Sequence, residues 1–280
     1  MQGGGKGLLV NSRNLCRTRG RRGVRGTVAS MTVLCLLAVT SLAAAEVTQK
    51  GNLRVFFTGG VSPQALPRKG LAPVRVTFGG EIKTNDGAPP PQLRTITLAL
   101  NRNGRLDYRG LPACHYRQIH PASSREAIES CPKSVIGTGS FAAHVKLPEQ
   151  SPYPSDGKVT AFNGVFRGRH VVFAHVFGAK PLPQSQILIF KLGKTGGTYR
   201  TTLTAELPQV AAEWGYVSEV SLQISRVFKY RGRTHSFISA GCPAPPGFPG
   251  TVFSFAHASF GFEDGRTLGV TMTRSCKAKD

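Results

Sequence analysis

The chain has 280 residues, with 36 lysines and arginines against 14 aspartates and glutamates, 33 glycines, 19 prolines and six cysteines, and a formal charge of +22. That length supplies one large all-β domain or two small ones with a full hydrophobic core. Beyond the first 45 residues no apolar stretch approaches the ~20 residues that a membrane-spanning helix needs.

Residues 1–45 hold seven basic side chains (Lys6, Arg13, Arg17, Arg19, Arg21, Arg22 and Arg25) and no acid, then the apolar run Met31–Leu42 and Ala43-Ala44-Ala45. A basic, then apolar, then small-residue order is that of a secretory signal peptide, here residues 1–45 with cleavage after Ala45. A retained signal anchor over Val28–Ala45 is the alternative. Residues 46–280 keep 29 basic and 14 acidic side chains, a formal charge of +15, and the expected location is secreted or extracytoplasmic, associated with the cell envelope. They also keep four cysteines, Cys114, Cys131, Cys242 and Cys276. An even set in an exported chain reads as disulfides. Three pairings are open; the local pairs Cys114–Cys131 and Cys242–Cys276 are the economical ones, worth roughly 3 and 4 kcal/mol on the chain-entropy model.

From Gly51 onward the pattern is β. Strands are expected at Leu53–Thr58 and Pro73–Lys83, separated by a connector over Ser62–Leu71, and a stiffer connector follows at Asp86–Pro91. Leu93–Asn101 is one-sided, with Ile96, Leu98 and Leu100 on one face. Between Asn101 and Lys133 the rhythm breaks. Ser123 and Glu126 have capping-box spacing, which predicts a short helix over Ser124–Ser130, pinned by Cys131 and stopped by Pro132, lying as a clasp across the sandwich edge. Strands resume at Ser134–Leu147, Val159–Val165, His170–Phe177, Gln186–Leu192 and Thr198–Glu206, with hairpin turns at Arg167-Gly168-Arg169 and Lys194–Gly197. Pro208–Gly215 reads as a helical turn or two carrying Trp214, and Val217–Tyr230 pairs with Thr234–Ala240 around Arg231-Gly232-Arg233.

The last stretch, Cys242–Cys276, is set by parity. Phe260 and Phe262 share one strand face, and so do Leu268, Val270 and Met272; only a three-residue loop, Glu263-Asp264-Gly265, puts both groups on the same side. Phe253 and Phe255 have the opposite parity from Phe260, which predicts a β-bulge near His257 or a strand buried on both faces. Many short strands, frequent turns and almost no helix make the fold class an antiparallel β-sandwich, Greek-key or jelly-roll-like, with one or two short helices, in a single domain over 46–280.

Catalytic signatures are few. The Gly-x-Ser-x-Gly elbow and the His-Glu-x-x-His zinc motif do not occur. Cys114-His115, His120 and Cys131 fit no zinc spacing, and His170 and His175 sit an odd number apart on one strand, hence on opposite faces. Asn101-x-Asn103-x-Arg105-x-Asp107 has a calcium-like spacing, but its arginines oppose a cation. No catalytic, metal or cofactor residue is assigned. The functional signal is charge: Arg167 and Arg169 at one turn and Lys229, Arg231 and Arg233 at another, both flanked by aromatics, could bind phosphate-bearing polymers, anionic lipid surfaces or carboxylated polysaccharide. The plainer role of such tips is to protect sheet edges and keep the protein soluble. Nucleic acid is not an expected partner after export.

Gly70-Leu71-Ala72-Pro73-Val74, Ala161-Phe162-Asn163-Gly164, Cys242-Pro243-Ala244-Pro245 with Gly247-Phe248-Pro249-Gly250, and Ser259-Phe260-Gly261-Phe262 with Asp264-Gly265 together resemble a family of uncharacterised exported β-rich proteins of soil actinobacteria. The resemblance implies export and a β-rich body, and no activity. The leading expectation is a non-enzymatic envelope module that binds an anionic polymer or surface. The alternative is a secreted hydrolase whose Ser140 or Ser239 meets His144, His175 or His257 across the fold.

Overall fold

A computed structural model describes residues 45–146, 149, 151–180, 183–207 and 215–279. All but the last residue of the expected signal peptide 1–45 and most of the expected turn around Trp214 lie outside these residues. The described chain belongs to one compact unit, Leu42–Asp280.

The first half holds β1 (Glu46–Lys50), β2 (Leu53–Ser62), β3 (Ala65–Pro67), β4 (Ala72–Pro73), β5 (Arg75–Thr84), β6 (Leu93–Asn101), β7 (Gly104–Leu106) and β8 (Cys114–His115). Two short helices follow, α1 (Tyr116–Ile119) and α2 (Ser124–Ser130). Five long strands come next: β9 (Val135–Val145), β10 (Tyr153–Phe166), β11 (Arg169–Gly178), β12 (Gln184–Lys194) and β13 (Tyr199–Glu206). The chain closes with β14 (Gly215–Ile224), β15 (Val227–Tyr230), β16 (Arg233–Ser236), β17 (Ile238–Ala240), β18 (Gly250–Phe262) and β19 (Thr267–Lys279).

One large sheet runs β1-β2-β5-β14-β9-β10-β11-β12-β13-β6-β18-β19-β3, with β8 added alongside β10. All its pairings are antiparallel except β8 with β10 and β3 with β19. A sheet of this width cannot stay flat, because the twist of each strand pair accumulates. It curls until β2 and β5 face β6, β18 and β19, an all-β sandwich made from one sheet. Odd-numbered Leu53, Val55 and Phe57 of β2 point inward and are buried, and ring contacts cross the layers: Phe57 meets Phe260 edge-on at 6.0 Å and Phe78 lies 6.4 Å from Phe255.

The tail hairpin has the register that parity requires. Phe260 stands opposite Leu268, and Gly265 adopts φ +80°, the left-handed conformation this three-residue loop needs. The bulge falls two residues before His257: Ser254 faces Thr273 and Ala256 faces Met272, so Phe255 is the extra residue. That single insertion lets Phe255 and Phe260 both reach the core despite their opposite parity. His257 itself is an ordinary cross-strand partner of Thr271, its Nδ1 lying 2.9 Å from Oγ1.

Both local disulfides form, Cys114–Cys131 and Cys242–Cys276, with Cα atoms 5.8 and 5.7 Å apart. The proline-rich bend after Cys242 is poor in amide donors; beside the Phe248 amide, which donates to the Pro245 carbonyl, the Arg68 guanidinium donates to the carbonyls of Ala244, Pro245 and Phe248. Helix α2 has the expected bounds and capping box, Ser123 Oγ accepting from the Glu126 amide while the Glu126 carboxylate accepts from the Ser123 amide. Its position differs from expectation. It covers a face of the sheet, not an edge, and packs Ile119, Ala127 and the cystine on Phe162, Phe173 and Ile187 of β10, β11 and β12. Two further differences lie in connections. The connector over Ser62–Leu71 contains β3, because the end of β19 offers it a parallel partner. Val217–Tyr230 and Thr234–Ala240 each break in two, because β14 is used up by β5 and β9 and the chain must leave that sheet before forming the β15–β16 hairpin.

The two sides of the curl meet at β1 and β19. Arg274 clamps the Glu46 carboxylate with Nη1 and Nη2, at 2.5 and 3.2 Å, and donates through Nε to the Gly59 carbonyl, while the Thr273 amide donates to Glu46. The pair is mostly shielded, with side chains 15% and 21% exposed. Replacing Arg274 by methionine keeps the stem and strands the carboxylate; urea unfolding should show a loss of about 1.5–3 kcal/mol, the usual worth of hydrogen bonds to a charged group.

Candidate functional site

The register of the long strands defines two ends. The β10–β11 turn lies at one end; the start of β10 and the finish of β11 lie at the other.

At the turn end, Arg167 and Gly168 connect β10 to β11, and Arg231 and Gly232 connect β15 to β16. Both pairs have positive φ (50° and 74°; 49° and 73°), the two-residue hairpin turn whose twist suits the flanking strands. The guanidinium of Arg167 sits over Phe166 at 5.3 Å, and that of Arg231 over Tyr230 at 5.2 Å. Far apart in sequence, the two tips are joined by the loop after β7. Tyr108 stacks on His170, ring centroids 4.0 Å apart, beside Arg169. Two residues on, the Tyr230 ring lies so close over Gly110 that a Cβ there would fall 2.1 Å from its Cδ2. Arg109, between these contacts, is exposed. The expected Arg167, Arg169, Lys229, Arg231 and Arg233 are all exposed and are thus gathered around one loop. Tyr108 and Arg109 were not singled out in the sequence; the run Tyr108-Arg109-Gly110 repeats the aromatic-arginine-glycine order of Tyr230-Arg231-Gly232 and could have marked them.

Buried Asp107 anchors this loop. Its carboxylate accepts from Arg105 Nη2 at 3.1 Å and the Arg109 amide at 3.2 Å, and His235 Nδ1 of β16 lies 3.4 Å away. Burial would raise the carboxyl's pKa, but the Arg109 amide, Arg105 and His235 outweigh it and hold the group below the usual carboxylate value. Asn101, the first position of the calcium-like spacing, spends its side chain on the Ser254 carbonyl and on Asn103. No group of three or more potential ligands that could hold a metal occurs among the described residues.

At the other end lies a cavity of about 610 Å³. Phe141 and Ala143 to Val145 of β9, Val176 to Gly178 of β11, Leu188 of β12, Leu207 after β13, and Tyr216 of β14 line it, with His120-Pro121-Ala122 from the clasp. The ring of His144 stacks on Tyr216 at 4.8 Å. Gln92 Oε1, His120 Nδ1 and His144 Nδ1 are buried with no hydrogen-bond partner. Behind the clasp, fully buried His175 meets the Ala122 carbonyl through Nε2 at 3.0 Å. Burial first, then neighbouring His120, hold His175 below the usual imidazole range, against the pull of that carbonyl. No local motif points to this cavity, since its lining comes from strands that are separate in the chain.

The hydrolase arrangement is not assembled. Ser140 is on an exposed position of β9 and Ser239 pairs within the small β4-β17-β7 sheet. Among the described residues no serine hydroxyl is hydrogen-bonded to a histidine; His175 is committed to Ala122 and His257 to Thr271. His170 and His175 do lie on opposite sides of β11, one exposed and one buried. Comparison with protein families, curated proteins and solved structures gives no match.

Two pH effects follow from these environments. An Asp107→Asn variant should be less stable than wild type by about 1–3 kcal/mol above the ordinary carboxylate value near 3.8, and the gap should close as pH falls through the native carboxyl's lower value, as pH-stepped urea melts will read. His175 acts with the other sign: it is neutral when folded and protonates more readily unfolded, so stability should decline as pH drops below about 6.5. His175→Gln, whose amide can still donate to Ala122, should flatten that decline in the same melts.

Proposed function

We propose that this protein is an exported, non-enzymatic β-sandwich that docks on an anionic polymer of the cell envelope through its arginine-rich end. The observation that carries the reading is convergence. Two hairpin tips and the loop Asp107–Leu111, distant in sequence, bring Arg109, Arg167, Arg169, Lys229, Arg231 and Arg233 together, and the acid at their centre, Asp107, is already engaged by Arg105. Guanidinium groups seated over the rings of Phe166 and Tyr230 can offer their N–H forks to the planar, two-pronged oxygens of carboxylate or phosphate.

A polymer fits better than a bilayer. Interfacial anchors place tryptophan, phenylalanine or leucine at the penetrating tip, whereas these tips carry arginine and glycine. Export is supported by the two disulfides and by the first strand's opening at Glu46, directly after the expected cleavage position. No helix among the described residues is long and apolar enough to cross a membrane.

The test is co-sedimentation with isolated cell walls and titration with polygalacturonate and with lipid-free teichoic acid, beside vesicles of anionic lipid. Binding to polymer should be tight at low salt, weaken as salt screens the charges, and be lost when Arg167, Arg169, Arg231 and Arg233 are all replaced by serine. No binding at low ionic strength, retention by the fourfold variant, or preference for vesicles over both polymers would refute the reading.

A further inference from the structure

The cavity at the opposite end has a chemistry of its own. Its described walls are mostly apolar, with Leu93, Phe141, Val176, Phe177, Leu188 and Leu207 among them. Its volume of about 610 Å³ falls within the roughly 300–1,000 Å³ of small-molecule sites. The polar groups of the described lining are hydroxyls of Ser155, Ser185 and Tyr216, amides of Gln92, Gln184 and Gln186, and the basic groups of Lys180, His120 and His144. Lys180, exposed two residues past the end of β11, is the cation; His120 and His144 bring imidazoles whose Nδ1 atoms are unpartnered, and Gln92 brings an unpartnered carbonyl oxygen. Among the described lining residues there is neither a carboxylate nor a guanidinium.

An apolar chamber whose described lining carries basic groups and no carboxylate suits an amphiphile with negative charge at one end. The lining also separates head groups. A phosphate dianion is ordinarily collected by arginine forks or by amides at a helix N-terminus, and the described lining offers neither. One ammonium and two imidazoles match the single charge of a carboxylate, and Gln92 Oε1 can accept from the protonated form. We propose that this cavity binds a single-chain carboxylate amphiphile, a free fatty acid, with its chain against the apolar walls and its head towards Lys180 and the histidines. The site is separate from the arginine-rich end, and neither proposal depends on the other.

Dodecanoate, below its micelle concentration, is the probe, titrated calorimetrically into the intact exported protein. One molecule should bind per chain, about tenfold more tightly than dodecanol, which has the same chain without the charge, as expected for one charge-assisted contact; dodecyltrimethylammonium should not compete. Lys180→Gln should bring dodecanoate affinity down to that of dodecanol. Ala143→Trp, or Leu188→Trp should the first fail to fold by circular dichroism, fills the chamber and should abolish binding of both. No saturable dodecanoate binding, equal affinity for the cationic amphiphile, or binding that survives in a folded cavity-filled variant would overturn the proposal.

Discussion

Strands β10, β11 and β12 carry large apolar side chains on both faces, and neither face can be left to water. Ala161, Val172 and Phe190 point into the main sandwich, while Phe162, Phe173 and Ile187 point the other way. Burying side chains of that size is worth about 1.5–3 kcal/mol each, so a second covering layer is a condition of the fold. The curled sheet covers one face. The other is covered by residues 114–131, which have little regular structure of their own and are held by the Cys114–Cys131 bridge and the buried His175, while Asn163, on the sandwich side, ties down the preceding loop through the carbonyls of Leu111 and Pro112.

Together with the loop before it, that covering layer also reaches both ends of the strands it lies on. The loop leading into it begins at Asp107 and Tyr108, where the arginine tips gather, and the layer's own middle supplies His120-Pro121-Ala122 to the cavity. The two candidate regions therefore have a common support in one cystine-pinned segment. They differ in what made them. At one end tight two-residue turns press charged tips outward; at the other the strands finish in longer connections, and a cavity lies among their apolar side chains.

How much of this can be read from the chain depends on range. Features decided within a few residues were legible: the α2 capping box from Ser123 and Glu126, the loop at Glu263-Asp264-Gly265 from the parity of Phe260 and Leu268, and the arginine-glycine turns. Both cystines followed from compartment and economy of loop length. Features decided by distant partners were hidden. Nothing local shows that β14 will pair with β5 and β9, that Ala65–Pro67 will find a parallel neighbour in the last residues, or that Tyr108 will lie on His170. The bulge was signalled by the parity of Phe253, Phe255 and Phe260, but parity counts residues without locating the extra one, which fell at Phe255. The cavity is hidden for the same reason as the sheet order.

The Glu46–Arg274 clamp has a further consequence, in time. The two residues are 228 positions apart, and the strands they close, β1 and β19, open and finish the described chain. Closing so long a loop costs entropy that shorter hairpins do not, and folds dominated by such contacts form slowly. The five-strand meander β9–β13 can assemble from neighbours as it emerges, but the seam cannot be made until the final strand is present. A chain delivered N-terminus first would hold β2 and β5 with an uncovered apolar face throughout its passage, so the seam that stabilises the finished sandwich is also the step at which its folding waits.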